Sequence, residues 1–367
     1  MKPFVFICAG EDSGDILGEF VVRAVREYGF EAFGVGGHRM EQAGLHTIEH
    51  FENFPVSGFL DVIQKLSFFR QFIRKAERQL ANPDCCAFFA IDYPGLNLKL
   101  VKLAKKYGKP VYYLAPPQIF AWKKNRAKFL KNTYTCAFFP FESKAYAEQG
   151  IFVNLVAHPF FESSKNVCSE ISTRETIYFL PGSRERVLFR NLPLYIEAAN
   201  HLSSFGNPIF VASRKTMYNH LKEKLPSNIS VELMPEDLEE RAIFLSKAKL
   251  VIGNPGTALL EATLRGVPII ALIRPDFLTF ALGKIFLKIR ILSLPNLLLK
   301  KKVFPEIVAF PFQKSSSLLS ELHRSVKLLF EESSSIKLAL EKLPKTLEGN
   351  RSIQESVFEF LLKFVKR

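Results

Sequence analysis

What most constrains this chain is a rhythm. Apolar runs of four to seven residues alternate along it with longer stretches of helical length. The runs are Pro3–Ala9, Cys85–Ile91, Pro110–Leu114, Thr135–Phe139, Phe152–Val156, Ile177–Leu180, Pro208–Ala212, Ser230–Leu233, Leu250–Gly253 and Pro268–Ile273. Between them lie stretches such as Leu96–Tyr107, Glu185–Leu202, Glu236–Ala248 and Ala258–Arg265. Short, wholly apolar runs are strands covered on both faces, and strands separated by helices pair in parallel. The spacing therefore predicts an α/β fold. A polar stretch, Glu162–Glu175, divides the series in two, giving doubly wound domains over 1–165 and 166–345 with a ligand cleft between them. Residues 346–367 carry an amphipathic helix (Ile353, Val357, Phe360, Leu361, Phe364) that either closes the second domain or returns to the first.

A length of 367 residues suits two domains, and 48% hydrophobic against 23% charged residues excludes a mainly disordered chain. Lys and Arg number 50 against 36 Asp and Glu, a net charge of +14. That excess implies an anionic partner: nucleic acid, a phospholipid surface or a phosphorylated substrate. The five cysteines are odd in number and show no CxxC spacing, so neither a disulfide framework nor a zinc site is suggested, and a reducing compartment fits. The first apolar run ends at Gly10-Glu11-Asp12, too soon for a signal peptide. Val267–Leu299 is interrupted by Arg274, Asp276, Lys284, Lys288 and Arg290, too many charges for a spanning helix, so the protein is soluble or peripheral.

Four strand-to-helix turns carry residues suited to chemistry. In the first, Ala9-Gly10-Glu11-Asp12-Ser13-Gly14-Asp15, glycines four apart let backbone amides approach a ligand. Three acids there would repel a phosphate, so contacts to sugar hydroxyls compete with a plain tight turn capped by Asp12 or Ser13. The second turn opens with Asp92, which ends an apolar run before Tyr93-Pro94-Gly95. A carboxylate at a strand's carboxyl end can take a proton from a substrate hydroxyl, or it can cap the next helix. The third, Pro181-Gly182-Ser183-Arg184, offers amides, a hydroxyl and a planar fork for a diphosphate. The fourth, Gly253-Asn254-Pro255-Gly256-Thr257, repeats the pattern: Gly256 admits a close backbone, Thr257 caps the helix, and Glu261 one turn on can accept ribose hydroxyls. Neither a GxGxxG turn nor a Walker A loop is present.

Phe59–Leu80 has a 3.6-residue apolar period and a charge of +3. It is either an amphipathic helix packed on its domain or one lying on an anionic membrane, with Lys65, Phe68, Phe69, Arg70 and Phe72 facing the lipid. Lys300-Lys301-Lys302 beside Leu297–Leu299 invites the same pair of readings. The seven histidines form no metal-binding spacing, and no GxSxG elbow exists. His158, before Pro159, is open between a cleft position and a structural one.

Together the motifs resemble the lipid-A-disaccharide synthase family, glycosyltransferases of the GT-B fold. The resemblance runs from about residue 4 to 310 through AGEDSGD (Ala9–Asp15), VGGHRM (Val35–Met40), SGFLDV (Ser57–Val62), IDYPGLN (Ile91–Asn97), QIFAW (Gln118–Trp122), FPFE (Phe139–Glu142), LPGSR (Leu180–Arg184), GTALLE (Gly256–Glu261) and SLPNLL (Ser293–Leu298). It implies two Rossmann-like doubly wound domains facing a central cleft, the first on the acceptor and membrane side, the second binding the UDP-sugar. The implied reaction joins UDP-2,3-diacylglucosamine to 2,3-diacylglucosamine 1-phosphate as a β-1,6-linked disaccharide, with inversion and release of UDP. Carried over residue by residue, Asp92 and Arg184 are catalytic. Gly182, Ser183, Arg184, Gly256, Thr257 and Glu261 bind UDP, and Glu11, Ser13, Gly14, Asn296 and Trp122 line the acceptor cleft. No cofactor and no metal is implied. The acylated substrates place the protein peripherally on the inner face of a Gram-negative inner membrane, which accounts for the basic, Phe-rich surface; a homodimer is left open.

The chain departs from the family pattern at Gly95, where a second acid is usual, and at Pro255, Ala157 and Phe120. Gly95 and Pro255 bear on the finer substrate contacts. Two other functions compete with the synthase: a GT-B enzyme acting on another UDP-sugar, transferase or epimerase, and a basic nucleic-acid-binding protein. The last would need stacking aromatics interleaved with a basic groove, whereas the basic residues here lie on amphipathic helices.

Overall fold

In the computed structural model, Phe4–Ala9 forms strand β1 with all six side chains buried, as a fully apolar run at a sheet centre requires. The structure describes residues 2–54, 62–120, 124–162, 174–275, 291–310, 313–331, 333–347 and 351–365. The chain divides into two compact units, Met1–His158 with Gly349–Arg367, and Pro159–Glu348.

In the first unit β1 is followed by helix α1 (Asp12–Glu27), β2 (Glu31–Gly36), α2 (His38–Gln42), β3 (Leu45–His50), α3 (Val62–Ala81), β4 (Cys85–Ile91), α4 (Pro94–Lys106), β5 (Val111–Leu114), β6 (Tyr134–Ala137), α5 (Pro140–Ala147) and β7 (Asn154–Leu155). The sheet order is β3-β2-β1-β4-β5-β6-β7, with every pairing parallel. β2 and β3 do not stand out in the sequence. Gly34 and Gly36 dilute the apolar signal of β2, and β3 is a half-exposed edge strand of mixed polarity. Gly34 is required by packing, since a Cβ there would overlap the Ile7 carbonyl of β1.

The second unit runs α6 (Pro159–Glu162), β8 (Thr176–Leu180), α7 (Glu185–His201), β9 (Asn207–Ala212), α8 (Lys215–Lys224), β10 (Ser230–Leu233), α9 (Leu238–Ser246), β11 (Ala248–Gly253), α10 (Thr257–Leu264), β12 (Ile269–Ile273), α11 (Leu294–Leu299), β13 (Glu306–Val308), α12 (Ser315–Glu331) and α13 (Ser333–Lys345). Its parallel sheet is ordered β10-β9-β8-β11-β12-β13. In each sheet the order of strand addition thus reverses beside the first strand, between β1 and β4 and between β8 and β11. In open α/β sheets ligands bind outside the carboxyl ends of the strands at such a switch point.

The last helix, α14 (Ile353–Phe364), belongs to the first unit. Ser352 and Glu355 form a reciprocal capping box that starts it. Ser356 donates to the Ile353 carbonyl at 2.8 Å and stands 2.6 Å from the Tyr112 hydroxyl. Phe360 packs edge-on against Phe89 with ring centroids 5.2 Å apart.

Candidate active site

The four chemistry-bearing turns fall at the two switch points. In the first unit β1 hands over to α1 through Gly10 and Glu11. Glu11 is the N-cap, extended and with no side-chain cap bond, so neither Asp12 nor Ser13 takes the capping role open to them in sequence. Ser13 is half-buried in the first turn. Gly10 is needed because the Tyr93 ring lies against it where a Cβ would go.

Two other residues of this motif turn inward. Gly14, expected in the cleft, is buried instead. A Cβ on it would sit 3.3 Å from the Ala9 Cβ and 3.8 Å from the Ile91 carbonyl, so its smallness serves close helix–sheet packing. Asp15 accepts backbone N–H bonds from Gly37 (2.7 Å), Arg39 (3.1 Å) and Met40 (3.2 Å), closing the start of α2. Burial pushes its carboxyl pKa up, while those three donors pull it back.

Beside it, at the carboxyl end of β4, Asp92 and Tyr93 are both left-handed, with φ of +47° and +44°. The Asp92 N–H extends the ladder by donating to the Leu114 carbonyl at 2.9 Å. The N-cap of α4 is Tyr93, so the capping role open to Asp92 is not realised. Tyr113 donates its hydroxyl to the Asp92 carbonyl at 2.9 Å. Glu142, buried at the start of α5, accepts the Phe139 N–H at 3.2 Å. Burial, with the Asp92 charge adding to it, pushes the Glu142 carboxyl up to about 8. His158 is buried against Phe138 (ring centroids 4.6 Å apart), and burial lowers it to about 3.

In the second unit Gly182 has φ +130°, and Ser183 and Arg184 are exposed, Arg184 being the extended N-cap of α7. Across the switch point Gly256, not Thr257, is the N-cap of α10; Thr257 is the first helical residue, which corrects its expected capping role. Gly256 is fully extended at φ 179°, and a Cβ there would meet nothing nearer than the Asn254 carbonyl at 3.8 Å. Asn191, fully buried on α7, ties the strand ends together. Its amide nitrogen donates to the Pro181 carbonyl (3.2 Å) and to Asn254 Oδ1 (3.3 Å), and its oxygen accepts the Arg274 N–H (3.1 Å).

Three more sequence expectations are corrected. Glu261 is fully buried, and its two carboxylate oxygens take Arg241 Nε at 3.0 Å and Nη2 at 2.6 Å, so it presents no open face to a ribose. Asn296 is also fully buried: it donates to the Phe304 carbonyl (2.7 Å) and accepts the Val303 (2.9 Å) and Phe304 (3.0 Å) N–H groups, shaping a loop rather than lining a cleft. Phe72 does not face outward; it is 2% exposed and packs on Phe54, because the helix turns that side to the core. Phe68 and Phe69 are half-buried, each with a ring against Phe54, while Arg70 is exposed. Trp122 and the Lys65 side chain lie outside the described residues.

Asn97, Asn191, Arg241 and Tyr113 carry no role in the sequence reading. A lone polar residue on an apolar helix face looks the same whether it tethers strand ends or meets water. A cavity of about 990 Å³, lined by Val111, Tyr134, Phe152, Arg351 and Phe360 among others, opens at the amino ends of β5 to β7, away from the turns described above.

Residues 5–363 match the family model described as lipid-A-disaccharide synthetase. Lipid-A-disaccharide synthase 1 of Legionella pneumophila is 29% identical, over 98% of this chain and 96% of its own length. Among solved structures, S. aureus MnaA with UDP superposes with a TM-score of 0.63 at 11% identity, covering 100% of this chain and 98% of that one. MurG of Acinetobacter baumannii superposes with a TM-score of 0.50 at 14% identity, covering 95% and 99%. At such identities the likeness shows the fold alone, a GT-B-type pair of Rossmann-like domains.

Proposed function

The chain belongs to the lipid-A-disaccharide synthase family, and from that premise we propose that its two switch points divide one glycosyl transfer between them. The protein is a UDP-sugar-dependent glycosyltransferase of lipid A synthesis, joining UDP-2,3-diacylglucosamine to 2,3-diacylglucosamine 1-phosphate and releasing UDP. The roles of individual residues are our assignment.

Inversion at the donor sugar requires the acceptor 6-hydroxyl to lose its proton as it attacks the anomeric carbon, while negative charge builds on the departing diphosphate. Asp92 takes the proton. Glu11 and Ser13, across the β1–β4 switch point, contact acceptor hydroxyls. The departing UDP is met by Arg184, by the backbone and hydroxyl of Gly182 and Ser183, and by the opening turn of α10 at Gly256 and Thr257. Helix N-termini favour an anion through unpaired N–H groups and the helix dipole. The observation that carries this assignment is the left-handed Asp92 at the carboxyl end of the central strand β4, where a parallel α/β sheet binds its ligands.

The acylated substrates reach the protein from a membrane surface. Arg70, Arg74 and Arg78, exposed at four-residue spacing on α3, support contact with anionic phosphates there. No helix among the described residues is long and apolar enough to cross a membrane.

The test is UDP release by the purified full chain in mild detergent, with UDP-2,3-diacylglucosamine alone and with 2,3-diacylglucosamine 1-phosphate added. Release that needs both lipids, and that Asp92→Asn lowers by about 10²–10⁴-fold, is the expected result. Release at the unmodified rate by Asp92→Asn would remove Asp92 from the role of base.

A further inference from the structure

The turn that carries the proposed base is held against its own preference. Left-handed φ values are uncommon for residues other than glycine, and here two adjacent non-glycine residues, Asp92 and Tyr93, adopt them. Such a conformation persists only where surrounding groups enforce it. Two buried side chains do so. Asn97, on α4, directs its amide nitrogen at three carbonyls: Cys8 at 3.1 Å, Ile91 at 3.0 Å and Asp92 at 2.8 Å. Tyr113, on β5, donates to the same Asp92 carbonyl.

The other end of the Asn97 amide is informative. Its oxygen is buried and has no hydrogen-bond partner, although the residue is fully enclosed. A buried acceptor left unpaired is a cost to folding. The amide is held through its nitrogen, on the turn and on the ends of β1 and β4.

We propose that Asn97 and Tyr113 are positioning residues for the glycosyl transfer, acting through the Asp92 carbonyl to hold the left-handed turn and with it the approach of the Asp92 carboxylate to the acceptor hydroxyl. The inference rests on Asp92 being the base. A general base works at about 2.6–3.2 Å from the atom it deprotonates. A misplacement of about 1 Å, as when the turn relaxes toward a right-handed conformation, costs about 10²-fold in rate. The lipid substrates gain their affinity elsewhere, so the loss falls on kcat and spares KM.

Three variants of the full chain test this beside Asp92→Asn, with kcat, KM for each lipid and the thermal midpoint read for each. Tyr113→Phe removes one hydroxyl and keeps the ring; its kcat falls about 3–10-fold with both KM values within about twofold. Asn97→Ala lowers kcat by about 10–100-fold with the same KM pattern. Asn97→Asp keeps the shape but turns a carboxylate toward three carbonyl oxygens. Its kcat, taken as a ratio to that of the unmodified chain at the same pH, is lowest at high pH and rises as the introduced carboxyl gains a proton it can donate, a pH response that simple loss of packing does not produce. If Asn97→Ala does not fold, Tyr113→Phe decides. Unchanged kcat in Tyr113→Phe and in every Asn97 variant that folds, with Asp92→Asn inactive, overturns the positioning role and leaves the base assignment standing. Unchanged kcat in Asp92→Asn overturns both.

Discussion

The guanidinium of Arg241 spans both carboxylate oxygens of Glu261, at 3.0 and 2.6 Å, and the acid has no exposed surface. Arg241 also lies over the Phe160 ring at 5.5 Å, so the pair anchors α9 and α10 to the segment that begins the second unit. Removing one member of a buried ion pair strands the other charge and costs about 3–5 kcal/mol, whereas replacing both with apolar groups is often neutral. Arg241→Ala is therefore expected to lower unfolding free energy in urea by that amount. Arg241→Met combined with Glu261→Leu does not restore it, because Glu261 also favours the charge of the buried Arg265, which loses that carboxylate in the double variant. In protein that folds, Glu261→Gln leaves the dissociation constant for UDP within about twofold; a tenfold weakening would return Glu261 to the ribose.

Two glycines that look alike in sequence differ in what surrounds them. A methyl on Gly10 collides with the Tyr93 ring, which also packs on Phe54 and belongs to the left-handed turn of Asp92. Gly10→Ala is expected to lower kcat at least tenfold by displacing that ring. A methyl on Gly256 meets no protein atom closer than 3.8 Å on extended backbone. Gly256→Ala leaves the thermal midpoint unchanged, and any loss appears as a raised KM for the UDP-sugar, because only ligand can meet the methyl. Steady-state kinetics with thermal melts separates the two.

These contrasts show where the sequence was legible. Fully apolar runs such as Phe4–Ala9 and Cys85–Ile91 announce central strands because both faces must be covered, and the turns that follow them land at the switch points. Glycine-diluted β2 and the half-exposed edge strand β3 carry no such signal. Motif residues mark the site but not which way each side chain points. Gly14, Asp15, Glu261 and Asn296 belong to those motifs and turn into the protein, where their work is packing and hydrogen bonding. The converse holds for Asn97 and Asn191: what they tether is decided by strand ends far away in sequence.

Glu142 makes stability depend on pH in a definite direction. Burial raises its carboxyl from the ordinary 4.5 to about 8 in the folded protein. Between those values the folded state holds a proton that the unfolded chain has lost, so stability is full below about 4.5 and declines as pH rises through about 8. The slope from this single group is at most about 1.4 kcal/mol per pH unit. Glu142→Gln, which cannot ionise, is expected to flatten the unfolding free energy over that window and to be the more stable form at pH 8.5. Urea titrations at pH 5, 7 and 8.5 check it; equal slopes in the two proteins would mean that Glu142 is ionised in the fold at neutral pH.

Arg184 stands exposed at the start of α7, beside Gly182 and Ser183 in the turn that follows β8. A planar guanidinium there can meet two oxygens of a diphosphate as it takes up charge, and that interaction is stronger in the transition state than in the bound donor. Arg184→Ala is expected to lose about 2–4 kcal/mol of transition-state stabilisation, seen mainly in kcat. Arg184→Lys recovers only part of it, because a single ammonium cannot reproduce the bidentate fork. If Arg184 and the helix starts at α7 and α10 carry the leaving-group charge, UDP release persists in EDTA. Activity that disappears in EDTA and returns with Mg²⁺ would assign the leaving-group charge to a divalent ion, and Arg184→Ala would then be nearly silent.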